Sequence, residues 1–397
     1  MTSLLLAIIY LTFISLGLPD GLLGAAWPVM HTDLGAPVAA QSAISIIISG
    51  CTIISSLLTA RLVARLGTGK LCTVSVALTA IAVIGFSHVT AFWQLCLLAI
   101  PYGLGAGAID AALNNYAALN YGARHMSWLH CCWGIGASAG PVVMGWALGS
   151  AYGWPAGYLI IGAAQVIITF ALLMSLPLWK REQSVDDQDH SDNSKEAAGT
   201  EVVPPSNREL LRLPGAKETI ASFGCYCALE GATGLWTASY LVIVRGIQAD
   251  TAASIVSLFY IGITIGRLLA GFASGMLDSA QQIRVGQTLA AAGILCLILS
   301  PIDALLWVAV GLIGLGAAPI YPGIVALTPR RFGRRASQGL VSLQMACAYI
   351  GYTVAPPVFG LVANGGKASA IPFLLLVLLV ANIVLAERAA TKTAGRQ

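Results

Sequence analysis

GLGAGAIDAALNN, residues 103–115, lies inside an apolar run long enough to cross a bilayer, and its opening returns as GLGAAPIY at 314–321. Two questions decide the fold: why an apolar run carries Asp110, and why the phrase occurs twice, 211 positions apart. The second has a ready answer in duplication. At the same offset Gly122 meets Gly333 and Arg124 meets Arg335; past a four-residue insertion, Gly136, Pro141 and Gly145 meet Gly351, Pro356 and Gly360. Near the start of each half, Asp20-Gly21-x-x-Gly24 matches Glu230-Gly231-x-x-Gly234 at an offset of 210. A shared offset over several elements marks a repeated unit.

The setting of that unit follows from composition. Hydrophobic residues fill 57% of the 397 positions and charged residues 10%, where soluble domains carry about 25% charged. The mean hydropathy is +0.81. Such a chain cannot cover a globule with polar surface and requires lipid as solvent. Twelve mainly apolar runs are long enough to span, near 4–30, 38–60, 71–90, 93–119, 127–149, 155–179, 217–245, 252–275, 285–302, 304–328, 337–363 and 369–387. The first has no basic start and no small-residue cleavage site, so it reads as a span rather than a leader. The expected fold is therefore an all-α membrane protein, with twelve transmembrane helices in two pseudo-symmetric six-helix bundles. Parallel repeats of this kind build secondary transporters whose site lies between the halves near the midplane.

Boundaries and orientation come from charge. KREQSVDDQDHSDNSKEAAGTEVVPPSNRE (180–209) is charged and poor in large apolar residues, the composition of a flexible tether. The chain divides into an N-terminal bundle at 1–179, a cytoplasmic linker at 180–215, a C-terminal bundle at 216–390 and a tail at 391–397. With both termini inside, 18 of the 21 Lys and Arg fall in inner loops and the tail; Arg245 and Lys367 lie outside and Arg267 lies in the eighth span. The positive-inside rule thus places both ends in the cytoplasm of a bacterial-type inner membrane. The nine cysteines all sit within spans without zinc-ligand spacing, which fits small apolar residues. GLGAG lacks the Lys-Ser/Thr ending of a phosphate loop. The RRFGRR run (330–335), at the inner end of span ten, serves orientation toward anionic headgroups rather than nucleic acid. No nucleophile–base constellation appears, so an enzyme is not expected, nor a cofactor or bound metal.

Three acids interrupt the spans: Asp20, Asp110 and Glu230. Keeping all three ionised near helix centres would cost on the order of 8–10 kcal/mol on insertion scales unless water or partners relieve them. Desolvated carboxyls can load and release protons near neutral pH, which is the chemistry a proton carrier needs. The competing reading is a structural hydrogen bond, or a pair with Arg267. Gly103, Gly107, Asp110 and Asn114 form one small-and-polar stripe, which leaves room either for a ligand or for a neighbouring helix. Asn115 points about 100° away, toward packing. Gly17, Asp20, Gly24 and Trp27 form a similar stripe on the first span, where Pro19 should bend the helix. Span seven gathers Tyr226, Glu230, Thr233 and Thr237. Candidate ligand contacts are Asn114, Trp236, Tyr321 and Gln344, then His130, Trp133 and Tyr240: aromatic faces beside amides suit a sugar's C–H face and hydroxyls. Gln165 is an intramembrane amide that fits either the cavity or an interhelical bond. Arg65, Arg267, Arg330 and Arg331 are the gating candidates.

Several stretches carry a family resemblance. Twelve spans with a long central loop resemble the major facilitator superfamily, whose loop-two motif has a degraded counterpart in ARLVARLGTGK (60–70): Arg65 and Gly67 fit, while Ala60 and Ala64 depart from its Gly and its acid. GLPDGLLGAAWP (17–28), GLGAGAIDAALNN, LHCCWGIGASAGP (129–141), ALEGATGLW (228–236), IGRLLAGF (265–272) and PIYPGIVALTPRRFG (319–333) are similar to the fucose–proton symporter branch and its sodium/glucose-cotransporter-like relatives. The resemblance implies proton-coupling and sugar-binding acids at Asp20 and Asp110, and it matches Glu230 to an acid of the glucose-transporting members. Where the fucose symporter has Glu, this chain has Asp110, one methylene shorter. The expected activity is proton-coupled symport of a neutral hydroxylated small molecule by alternating access, in a monomer embedded in the bilayer. Sodium coupling remains open, because carboxylates serve either ion. The alternatives are proton-driven efflux of another metabolite or drug and, in a different class, a non-transporting membrane sensor or lipid-handling protein.

Overall fold

The computed structural model describes residues 2–120, 123–193, 207–274 and 276–394. Residues 194–206, the middle of the expected linker, lie outside the described set. So do Gly122, the tail end 395–397, and the side chains of Asn115, Arg124 and Arg335. The N-terminal half runs through α1 (Thr2–Gly17), α2 (Leu22–Asp33), α3 (Gln41–Leu66), α4 (Thr68–Phe86), α5 (Phe92–Asn120), α6 (Ala123–Gly149) and α7 (Gly153–Asn193). After the short α8 (Asn207–Leu210) come α9 (Ala216–Arg245), α10 (Ala249–Ala273), α11 (Ser279–Leu299), α12 (Ala304–Ala317), α13 (Ile320–Phe332), α14 (Arg334–Val362) and α15 (Ile371–Thr393). No strand occurs among the described residues. Eleven stretches are long and apolar enough to cross a membrane. The last, Gly339–Thr393, holds both α14 and α15, separated where Gly366 takes φ 73, so the crossings number twelve. Outward-facing apolar side chains such as Leu57, Ile167 and Phe272 are exposed, as lipid contact requires.

One span is broken and another is bent, each at a proline. Pro19 has no amide hydrogen to continue α1, and Gly21 takes φ 76, so Leu18–Gly21 form a turn between α1 and α2. Span ten bends between α12 and α13 at Ala318-Pro319, where both residues keep right-handed helical angles. Their repeat mates run straight: Leu229 replaces Pro19 in α9, and Ala108 replaces Pro319 in α5. A proline in one copy and not in the other makes the difference. The expected tether also starts later than its composition indicates, because α7 continues to Asn193. Between Leu178 and Asn193 there is neither Gly nor Pro to stop it.

The duplication is legible in the packing itself. A Cβ at Gly103 would meet the Ile48 carbonyl at 2.4 Å, and one at Gly314 the Phe259 carbonyl at 2.0 Å, both members shifted by 211. Gly105 faces the Ser75 carbonyl as Gly316 faces that of Gly286, at the same shift. Gly136 lies on Ile14 of α1 as Gly351 lies on Gly224 of α9. Each half has its own core. One is built almost wholly from Leu5 through Trp179, the other from Phe223 through Leu379. First and last spans of each half are tied by a buried amide: Gln165 accepts from Ser15 Oγ at 2.6 Å and donates to its carbonyl at 2.7 Å, while Asn382 Nδ2 donates to Ser222 O at 2.9 Å. Gln165 is therefore an interhelical bonder and not a cavity residue.

The halves meet closely at the ends opposite both termini. The repeat-related Gly24 and Gly234 face each other where α2 crosses α9, with a Cβ on Gly24 only 2.4 Å from the Gly234 carbonyl. Gly145 of α6 sits on Asp250 and Ser254 of α10, and its mate Gly360 of α14 sits on Ala39 and Ser42 at the start of α3. Ser42 Oγ donates to the Pro356 carbonyl at 2.8 Å and Gln41 Nε2 to that of Leu235 at 3.2 Å. These contacts seal the side opposite both termini, which is the outer side if the charge rule holds.

Candidate functional site

Asp20 stands in the turn between α1 and α2, where the break projects its carboxylate toward the boundary of the halves. Trp133 of α6 donates its indole N–H to Asp20 Oδ2 at 2.9 Å. Above the ring of Trp133 sits the Arg267 guanidinium of α10, 5.0 Å from the centroid, within cation–π range. The described residues hold two ion pairs, Arg284–Glu387 and Lys392–Glu218, and Arg267 is in neither. The competing reading, a pair between one of the acids and Arg267, is not what the described contacts show: Arg267 and Asp20 both meet Trp133, one at its ring face and the other at its N–H. Trp133, read as a platform for ligand, spends its N–H on that carboxylate. Tyr260 of α10 closes over Gly21, 2.7 Å from where a Cβ would be, so only glycine allows the ring there.

Asp110 is half-buried on α5, and Asn114 one turn on donates Nδ2 to its Oδ1 at 2.8 Å and to its carbonyl at 3.0 Å. Asn114 is therefore the partner of the acid before it can be a partner of any ligand. Of the two readings of the small stripe, close helix packing holds: Gly103 and Gly107 lie against the backbone of Ile48 and Thr52 on α3. Thr52 and Ser56 donate to the carbonyls of Gly103 and Gly107 at 3.2 and 3.1 Å.

Glu230 is buried on α9, ringed by tyrosines: Tyr226, Tyr260, Tyr321 and Tyr352 all lie within its electrostatic range. Tyr352 packs onto Gly231. The Tyr226 hydroxyl is buried beside Glu230. Gln344, fully buried, donates Nε2 to Thr328 Oγ1 at 2.9 Å while its Oε1 stays unpaired. Tyr321 packs at a tilt against Phe223 with centroids 4.8 Å apart and donates its hydroxyl to Met345 Sδ at 3.3 Å. Trp236, fully buried, leaves its indole N–H unpaired, as Gln41 Oε1 and Ser239 Oγ remain unpaired nearby on the outer seal. Buried polar atoms without partners are rare and call for a ligand, water or a second conformation.

The remaining candidates are drawn elsewhere. Tyr240 donates to the Leu297 carbonyl at 3.5 Å, inside the C-terminal core. His130 packs edge-on to Phe13 with ring centroids 6.0 Å apart. Arg65 and Arg330 are exposed at inner helix ends, and Arg331 lines a cavity of about 20 Å³ with Arg284 and Glu387. A second cavity of about 10 Å³ lies behind Pro19 and Ile109, on the far side of the two N-terminal acids. Tyr260 and Tyr352 were not anticipated: no periodicity marks them, and only the glycines they cover carry a signal.

Two repeated sets of six crossings, closed around carboxylates at their boundary, define a polytopic membrane transporter. The chain belongs to the Major Facilitator Superfamily, whose family description matches residues 9–299. Among curated proteins it is 25% identical over 297 residues to "Membrane protein MosC" of Rhizobium meliloti, covering 71% of this chain and 65% of that one. It is 26% identical over 199 residues to "Bypass of stop codon protein 6" of Saccharomyces cerevisiae, covering 46% and 39%. The matched stretches thus span less than two thirds of either relative. Among solved structures, the fold is shared with a bacterial homolog of the human lysosomal transporter Spinster, inward-facing and occupied (TM-score 0.73, 11% identity, 99% and 97% of the chains). It is shared also with the peptide transporter POT in complex with sulfate (TM-score 0.74, 14% identity, 98% and 95%).

Proposed function

We propose that this transporter is a proton-coupled symporter of a neutral, hydroxylated small molecule, a sugar in the first instance, working by alternating access as in the fucose–proton symporter branch. The observation that carries the reading is the position of Asp20: an intramembrane carboxylate at a helix break, on the boundary between halves, hydrogen-bonded by Trp133 yet in no ion pair. A carboxylate so placed can exchange a proton as the boundary opens and closes. Asp110 and Glu230 lie within its electrostatic range, so protonating one eases the burial of the others. The unpaired Gln344 Oε1 offers an acceptor of the kind a sugar hydroxyl satisfies. Contacts across the outer side support an inward-facing resting state, with both termini in the cytoplasm.

The test is uptake by reconstituted vesicles across an imposed pH gradient, after a thermal-shift screen of sugars, amino acids and drugs has named the ligand. Accumulation should follow the gradient, and Asp110→Asn should abolish it while leaving exchange. Accumulation of every ligand unaffected by the gradient would refute proton coupling.

A further inference from the structure

The geometry points to Trp133 as a positioning residue in a clasp between the halves, which Asp20 holds shut when charged and releases when protonated, with Arg267 as the cationic end. This rests on the proton-coupled reading above. Trp133 stands where α6 touches both halves at once. On one side Gly17 of α1 lies so close that a Cβ would be 2.1 Å from the Trp133 carbonyl. On the other, Gly134 accommodates Thr264 of α10, whose Oγ1 would be 2.1 Å from a Cβ there. Thr264 is one turn before Arg267, so the two backbones fix where guanidinium and indole can meet.

Asp20 faces Trp133 from α6, Tyr260 from α10, Glu230 from α9, and Asp110 and Tyr102 from α5. His130 lies one turn before Trp133 on α6, within range of Arg267. Arg267 is thus the cation of this neighbourhood. A charged Asp20 is a strong acceptor for the indole N–H, which fixes the ring plane. The fixed ring plane is the face on which the Arg267 guanidinium sits. A neutral carboxyl accepts more weakly and holds the ring less firmly. The ring is then free to turn, and Arg267 free to leave. Past Arg267, among the described residues, Gly271 of α10 has no atom within 4 Å of a Cβ. Release therefore frees the inner end of α10.

The experiment needs no substrate. Hydrogen–deuterium exchange of the peptide covering 265–274 is measured in the full-length protein at about pH 5 and about pH 8, corrected for intrinsic exchange. The wild type should exchange about tenfold faster at the lower pH after correction. Trp133→Phe keeps a ring and loses the N–H, and it should erase that difference. Should Trp133→Phe melt below the assay temperature, Arg267→Gln with Trp133 intact takes its place and should erase the difference as well. Asp20→Asn should do so too, while Asp110→Asn should retain it. If Asp20→Asn erases the difference but Trp133→Phe or Arg267→Gln keeps the wild-type response, the clasp is wrong and proton sensing at Asp20 stands. If Asp20→Asn keeps it, proton sensing at Asp20 fails and the clasp with it.

Discussion

At the scale of single residues, the informative atoms are those without partners. Ser239 Oγ, Trp236 Nε1 and Gln41 Oε1 are buried and unpaired along the outer seal. An unsatisfied buried polar atom costs about 1–3 kcal/mol, so this seal is closed but not at its lowest energy. Replacing Ser239 with Ala removes one such atom and almost no volume. The expected result is a stabilised outward-closed form, by about 1 kcal/mol, read as a higher Tm; a lower Tm would mean that the hydroxyl has a partner. Gln165 shows the opposite case. Both ends of its amide are satisfied by Ser15, so Gln165→Leu should lower Tm, with a cost near 1 kcal/mol or below, the range of interhelical hydrogen bonds in membranes. The sequence placed these polar groups inside the bilayer. It could not say which were paired, because the partners lie on helices distant in the chain.

At the scale of helices, glycine decides where two backbones may touch. Gly24 against Gly234 is the contact through which α2 and α9 close the outer side. A methyl group at position 24 would lie 2.4 Å from a carbonyl oxygen, below any real Cβ contact. Gly24→Ala should therefore hold the outer side open, seen as increased labelling of an outer cysteine by an impermeant thiol reagent. Gly50→Ala, with nothing within 4 Å, should leave labelling unchanged. Proline acts as the second determinant. The break at Pro19 sets Asp20 free of its helix, whereas Glu230, its repeat mate, stays on an unbroken α9. The duplicated motif made the two acids look equivalent, and one proline made them different.

At the scale of the whole molecule, the two halves share a packing plan that a common offset predicts and that glycine contacts repeat in space. The orientation rests on charge alone. A cysteine at the exposed Lys367, in a chain otherwise free of cysteine, should react with an impermeant reagent from outside the cell, and one at the exposed Arg65 should not. The reverse pattern would invert the topology.

The sequence by itself determined the solvent, the twelve crossings, the duplication and the depth of the three acids. Hydropathy and repetition are written along the chain and survive any arrangement of the helices. Only the tertiary structure decided that Trp133 reaches Asp20 across 113 residues, that Arg267 rests on an aromatic face rather than a carboxylate, and that the small stripe of α5 serves packing. Those choices depend on which helices lie side by side. In lipid, where burial of apolar surface gives no preference among neighbours, that is settled by close backbone contact and by the few polar groups that must find one another.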